Sequence, residues 1–131
     1  AALGQRLVII KEVSKREGVA LLIRFHVRYY AEHPELSRLM SQEARQDSWR
    51  INYLTDVHVR PSVANIKKYI AKELKLTDQQ FAHWYYIMVS ASATIFSFES
   101  ECKMLFGFNP ISEESIIRHA EMLVGMLLKD S

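Results

Sequence analysis

Histidine and cysteine are the residue types that most often bind metals or act as nucleophiles, and their spacing here does not assemble a reactive site. The five histidines are dispersed along the chain: His26, His33, His58, His83 and His119. A helical metal site needs ligands at fixed steps, such as Glu-x-x-His or His-Glu-x-x-His, and neither pattern occurs. The single Cys102 lies in an apolar stretch with no histidine nearby in sequence, which predicts inert burial. We therefore expect no metal, no cofactor and no enzymatic activity, and a helical-bundle enzyme is disfavoured.

Aromatic residues are the second group that could carry a function. By helical periodicity, rings from three different helices point toward a shared interior. The simple interpretation is core packing, but rings, a methionine and phenol hydroxyls are also the usual lining of a pocket for a small apolar ligand with a polar group. The predicted ligand-binding residues are Phe25, Tyr29, Trp49, Tyr53, His58, Trp84 and Met88.

Length and composition predict a single all-α domain. The 131 residues are 49% hydrophobic and include only four Gly and three Pro, and long segments lack the alternation typical of strands. The net charge of +2 gives no general reason to expect a nucleic-acid or membrane partner. No window approaches ~18 uncharged apolar residues, no signal peptide opens the chain, and one cysteine fits a reducing compartment. We expect a cytoplasmic protein with no membrane contact.

Residues 77–106 are predicted to form one uninterrupted helix around which the other helices pack. Thr77 or Asp78 can cap its start, Gly107 can end it, and its interior contains no Gly or Pro. Apolar residues recur on two of its sides, so the helix is either buried or shared between a core and a partner. The small residues 90–93, Ser-Ala-Ser-Ala, favour the shared arrangement because they let another helix come close.

The rest of the chain is predicted to form further helices, which with the helix over 77–106 make about six. We expect an amphipathic helix closing near Gly18, and Pro61 is expected to kink or break a long helix, because proline removes a backbone hydrogen bond. The predicted ranges are 3–18, a buried central helix over 19–32, a short helix over 34–45, the long helix over 47–74, and a last helix that begins after Ser112.

The last two helices carry more apolar surface than one subunit can bury. Two such consecutive helices from each of two subunits can pack as a four-helix bundle, so we expect a homodimer. The predicted interface residues are Ala91, Ser92, Ile95, Glu99, Cys102, Ile117, Ala120, Val124, Gly125 and Leu128.

Several segments, in this order and spacing, resemble the C-terminal ligand-binding and dimerisation domain of TetR-type transcriptional repressors. The first is residues 21–47, LLIRFHVRYYAEHPELSRLMSQEARQD, which holds the Ala-Glu-His-Pro-Glu-Leu junction and the Glu43 and Asp47 patch. The others are Arg60-Pro61 in the long helix, Leu-Phe-Gly-Phe-Asn-Pro at 105–110, and His-Ala-Glu-Met-Leu-Val at 119–124. The likeness covers essentially the whole chain.

This resemblance implies that residues 1–131 are one effector-binding and dimerisation domain, with residues 1–17 as the tail of a connecting helix. It implies a homodimer, a small hydrophobic effector, and operator DNA bound through an N-terminal domain that these residues do not include. Ligand-contacting residues vary widely in the family, so none is transferred by motif. The alternative is a helical dimerisation or interaction module with a dry core and no effector.

Overall fold

The computed structural model describes residues 15–36, 53 and 55–128, and at 15, 55 and 58 it describes the backbone alone. Within these residues the chain contains helices and turns and no strand, so the predicted all-α fold is confirmed. The helices are α1 (Lys15–Glu32), a π-helix (Thr55–Val59), α2 (Arg60–Glu73), α3 (Asp78–Ser97), α4 (Glu99–Phe106) and α5 (Glu113–Leu127). Most of the predicted helices over 3–18 and 34–45 lies outside the described residues.

The first helix, α1, runs without a break through Gly18, so the predicted helix end at that residue is wrong. Glycine inside a helix costs about 1 kcal/mol relative to alanine, but it does not stop a helix by itself. Gly18 is buried, and Val19 and Ala20 directly after it are buried as well. Burial of this side of the helix therefore outweighs the low helix propensity of one residue.

The same helix lies at the centre of the fold, in contact with α2, α3 and α5. This confirms the prediction of a buried central helix over 19–32. The buried side chains of the core cluster come from α1, α2, α3 and α5: Val19, Leu22, Ile23, Val27, Ile66, Ile70, Phe81, Met88, Phe96, Ile116, Ala120 and Leu123.

Helix α3 begins with a reciprocal pair of hydrogen bonds at Thr77. The Gln80 backbone N–H donates to Thr77 Oγ1 at 3.2 Å, and the Thr77 backbone N–H donates to Gln80 Oε1 at 2.9 Å. Each bond satisfies a donor that the first turn would otherwise leave without a partner. The predicted cap is therefore confirmed and assigned to Thr77.

The predicted uninterrupted helix over 77–106 is wrong, because the backbone leaves helical geometry at Phe98, with φ −113° and ψ 37°. The Phe98 N–H donates to the Ile95 carbonyl, three residues back, at 3.3 Å, so the last turn of α3 tightens. Helix α4 starts at Glu99 and ends at Gly107, whose φ of 73° suits glycine. No Gly or Pro marks the break, which explains why the residue pattern does not indicate it.

Pro61 coincides with the predicted break in the long helix. The π-helix over Thr55–Val59 ends just before α2, and Pro61 occupies the first turn of α2, where its missing N–H removes no α-helical bond. Asp56 and Arg60 form an ion pair across this junction, with 3.2 Å between Oδ1 and Nη2. The helix type changes from π to α at Arg60, one residue before Pro61, and no non-helical residue separates the two stretches.

Two arginine forks hold α5 against α1. Arg24 binds the Glu121 carboxylate through Nε at 2.7 Å and Nη2 at 3.1 Å, and Arg28 binds the Glu113 carboxylate at 2.7 and 2.6 Å. These hydrogen bonds lower the pKa of both glutamates. Because both pairs are largely exposed, they fix the register of the two helices more than they add to stability. Ser112 Oγ caps α5 as predicted, accepting from the Ser115 N–H.

Replacing Thr77 with alanine should lower the free energy of unfolding by about 1 kcal/mol, because the side-chain acceptor of the cap is lost. Urea denaturation followed by circular dichroism measures the change. Thr94→Ala is the matched control, since Thr94 is exposed within the same helix and its hydroxyl donates to the Ser90 carbonyl. The control should change stability by less than about 0.5 kcal/mol, and equal effects of the two substitutions would contradict a capping role for Thr77.

Candidate functional site

Two of the predicted ligand-binding residues lie side by side on α1. The rings of Phe25 and Tyr29 are 5.8 Å apart, one helical turn from each other. Tyr29 also contacts His33, with 4.6 Å between ring centroids. Both residues are partly buried, so they are neither solvent-exposed nor fully enclosed in the core.

Two more predicted residues lie one turn apart on α3. The partly buried Trp84 ring stacks against Phe81 at 6.3 Å and 22°. Met88 is completely buried, and its sulfur accepts a weak hydrogen bond from Ser92 Oγ at 3.8 Å. Met88 is therefore a core residue, and it lies on the same face of α3 as Trp84.

Of the other three predicted ligand-binding residues, the structure describes only the side chain of Tyr53. Tyr53 is 54% exposed. Trp49 and the side chain of His58 lie outside the described residues. The described part of the predicted pocket thus consists of Phe25 and Tyr29 on α1, and Trp84 and Met88 on α3.

Tyr30 and Tyr85, which were not among the predicted site residues, connect these two pairs. The Tyr30 ring contacts Tyr29 at 5.8 Å and His26 at 6.2 Å. Burial, with smaller contributions from the nearby phenols of Tyr85 on α3 and Tyr29 on α1, raises the pKa of Tyr30 to about 12. Phe81 in turn contacts Tyr85 at 6.1 Å as well as Trp84. Helical spacing in the sequence is enough to place Tyr30 beside His26 and Phe81 beside Trp84. The packing of α1 against α3 depends on tertiary structure, so the sequence pattern does not predict it.

Ring contacts group Phe25, Tyr29 and Tyr30 on α1, and Phe81, Trp84 and Tyr85 on α3. The two helices pack against each other, with the Tyr85 phenol near that of Tyr30. We call these six residues the aromatic cluster. Burial also raises the pKa of the Tyr85 phenol, with a smaller contribution from Tyr86. The cluster therefore presents neutral phenols and an indole in an apolar setting.

Within this cluster, the indole N–H of Trp84 is an unsatisfied donor. Its Nε1 atom is buried and finds no hydrogen-bond acceptor among the residues that the structure describes. A buried donor without an acceptor costs about 1–3 kcal/mol, and most such groups in folded proteins are satisfied. Since other atoms of the Trp84 side chain keep some exposure, the N–H edge is the part that faces inward.

His26 lies at the edge of the cluster and is 6% exposed. Its Nδ1–H donates to the Leu22 carbonyl at 2.9 Å, one turn earlier on α1. Desolvation lowers the pKa of the imidazole, and the hydrogen bond to Leu22 opposes that shift only in part. His26 is therefore held in its neutral form in the folded state.

The predicted interface residues divide by exposure. Ser92, Cys102 and Ala120 are buried by their own subunit, so a partner could reach little of them. Ile117 and Gly125 are exposed, and a Cβ added to Gly125 would meet no atom within 4 Å. The remaining predicted interface residues are partly buried: Ala91, Ile95, Glu99, Val124 and Leu128.

Large apolar side chains next to these positions are more exposed than the predicted residues. On α3 and α5, Ile87, Met122 and Met126 are 57–67% exposed. Ile87 lies one turn before Ala91 and Met122 one turn after His119, and His119 Nε2–H donates to the Ala91 carbonyl at 2.7 Å. This contact joins α3 to α5, so the exposed residues flank one helix junction. We call Ile87, Phe98, Met122 and Met126, with Leu105 and Phe106 of α4, the outer apolar surface.

A shallow apolar groove forms part of this surface where α3 meets α4. Its lining is mainly aromatic and aliphatic, with one carboxylate at the edge: Thr94, Ile95, Phe98, Glu101, Cys102, Phe106 and Phe108. Phe98, at the break between α3 and α4, is part of this lining. The described structure thus offers two candidate sites, the aromatic cluster inside and the outer apolar surface.

Neither a metal centre nor a membrane span is found in the part of the chain described. No three His, Cys, Asp or Glu side chains in it are grouped so that they could hold a metal ion. None of its helices has the length and apolar character needed to cross a lipid bilayer.

Comparisons with models of known protein families, with curated proteins and with solved structures find no match for this chain.

The lowered pKa of His26 predicts that acid destabilises the fold. Unfolding restores the ordinary histidine pKa of 6.5, so below that pH the unfolded chain binds a proton that the folded chain resists. The contribution of His26 is therefore complete above about pH 7 and falls as the pH is lowered toward 5. In His26→Leu, urea unfolding across this range should show a shallower loss of stability than in the original chain. His83→Gln, at an exposed histidine, is the control, and identical profiles for His26→Leu and the original chain would contradict this assignment.

Proposed function

We propose that this chain is the effector-binding and dimerisation domain of a TetR-type transcription regulator. Under this proposal it forms a homodimer through the outer apolar surface, takes a small and largely apolar effector at the aromatic cluster, and controls operator DNA through an N-terminal domain. The observation that carries the proposal is the outer apolar surface. The resemblance of the sequence segments to that family supports the assignment to a regulator.

A second copy of the chain is the partner that best fits the outer apolar surface. Soluble proteins that remain monomeric rarely expose large contiguous apolar patches. Here the exposed side chains come from α3, α4 and α5, and α3 contacts both other helices, α5 through the hydrogen bond of His119 to Ala91. Packing this helix pair against its twofold copy would bury the surface in a four-helix arrangement. Gly125, with open space around it, allows a close helix approach there.

The aromatic cluster supports the effector part of the proposal. It combines several rings with a buried N–H that lacks an acceptor among the described residues. Pockets for small molecules have this composition, with mostly apolar walls and a few polar groups that orient the ligand. The alternative, a dimerisation module with a dry core, explains the rings but not the unsatisfied donor.

The packing of α1 provides a route from the effector site to the dimer. Helix α1 contributes half of the aromatic cluster and is clamped to α5 by Arg24 and Arg28. A ligand that shifts α1 relative to α3 would therefore also shift α5 at the dimer surface. A coupling of about 1–3 kcal/mol is enough for a regulatory response, provided that the ligand binds one arrangement better than the other.

The double substitution Ile87→Glu with Met122→Glu should convert the dimer to a monomer. Burying uncompensated carboxylates in a helix interface costs several kcal/mol, so the dissociation constant should rise more than about a hundredfold. Sedimentation velocity over a concentration series measures this change. Val57→Glu places the same charge at another exposed apolar residue, away from the outer apolar surface, and should leave the dimer intact. An unchanged dimer in the double variant, or a chain that is monomeric without substitution, would overturn the dimer assignment.

The effector site predicts stabilisation by a simple apolar probe. Naphthalene present at about a hundred times its dissociation constant should raise the free energy of unfolding by about 2.7 kcal/mol. Thermal unfolding with and without naphthalene measures the shift, and native mass spectrometry of the purified chain tests for a bound small molecule that is lost on denaturation. A dry core would give no thermal shift and only the mass of the bare protein, which would favour the dimerisation module.

A further inference from the structure

We propose that the indole N–H of Trp84 is the hydrogen-bond anchor for the effector, and that the effector therefore carries a neutral acceptor, such as a carbonyl or ether oxygen, on an apolar body. This inference rests on the proposed function and narrows the class of ligand. It is carried by the buried Nε1 atom, which finds no acceptor among the described residues.

The surroundings of Trp84 fix the position of this donor. The ring stacks on Phe81 at 6.3 Å, and Phe81 is itself 3% exposed and part of the core. A ring held against a core residue cannot turn its N–H to solvent without losing that contact. The donor is therefore preorganised, and a ligand acceptor would gain a hydrogen bond at little cost in side-chain ordering.

The chemistry of the cluster favours a neutral ligand over a charged one. Its six members are uncharged rings, and the two histidines in ring contact with them are His26, whose pKa burial lowers, and the exposed His33. Burial keeps the phenols of Tyr30 and Tyr85 protonated well above neutral pH. A carboxylate buried here would lose its hydration without gaining a cation, which is strongly unfavourable. A neutral oxygen needs one or two donors, and the cluster provides N–H and O–H groups of that kind.

A matched pair of probes tests the anchor: 2-acetylnaphthalene and 2-isopropenylnaphthalene. The two probes are nearly equal in size, and they differ by a carbonyl oxygen in place of a methylene group. The 15N-labelled chain is titrated with each probe, and dissociation constants are taken from the chemical shifts. The chain contains two tryptophans, so the Trp84 indole signal is assigned as the one missing in Trp84→Phe, and the other serves as an internal reference.

The preference for the ketone over the alkene should be about five- to tenfold larger in the original chain than in Trp84→Phe, because the substitution removes one hydrogen bond. Comparing the two preferences cancels the different hydration of the two probes. The Trp84 indole proton should move downfield with the ketone and not with the alkene, a readout that does not depend on the variant folding. Tyr86→Phe is the control, because Tyr86 lies on the same helix with its ring 68% exposed, and it should retain the original preference.

The outcomes separate this inference from the function on which it rests. The anchor is overturned, while the pocket remains, if two results are found together. The preference for the ketone over the alkene is the same in the original chain and in Trp84→Phe, and the Trp84 indole signal shifts equally with the ketone and with the alkene. If neither probe binds and no resonance of the aromatic cluster moves, the effector site and the anchor are both overturned.

Discussion

The inward side of α1 must be removed from water, and this constraint determines how the other helices are placed. Val19, Leu22, Ile23 and Val27 are each at most 1% exposed, and burying a side chain of this size contributes about 1.5–3 kcal/mol. Three other helices supply the cover, so α2, α3 and α5 all meet the same segment. The register of α5 is then set by the forks of Arg24 and Arg28, which lie on the polar side of α1.

Some buried polar groups close to this core have a hydrogen-bond partner among the described residues, and one does not. His26 is buried but satisfied, since its ring donates to the Leu22 carbonyl and stays neutral. Ser92, also buried, donates to the sulfur of Met88. Trp84 differs from both, because its buried N–H has no acceptor among the described residues. A core that satisfies its other buried polar side chains and leaves one preorganised donor is more consistent with a ligand site than with plain packing.

The proposed effector site and the proposed dimer surface are joined through two helices and not through a single continuous path. Helix α3 carries both Trp84, whose Nε1 is buried, and Ile87, which is 57% exposed one turn later. Helix α5 contacts α3 through His119 and contacts α1 through Glu113 and Glu121. A change in how α1 packs against α3 would thus act on both helices of the outer apolar surface at once. This arrangement suits the population shift that the proposed function requires.

The sequence by itself determined the helical class, the buried central helix, the cap at Thr77 and the end at Gly107. These features depend on periodicity and on local hydrogen bonding within about four residues, which the order of residues specifies directly. Only the tertiary structure decided that α1 continues through Gly18, that α3 ends at Phe98, and that the phenols of Tyr30 and Tyr85 lie near each other. It also decided that Ser92, Cys102 and Ala120 face their own core while Ile87 and Met122 face outward. These outcomes depend on which helices meet and at what angle, and contacts between residues far apart in sequence override local preference.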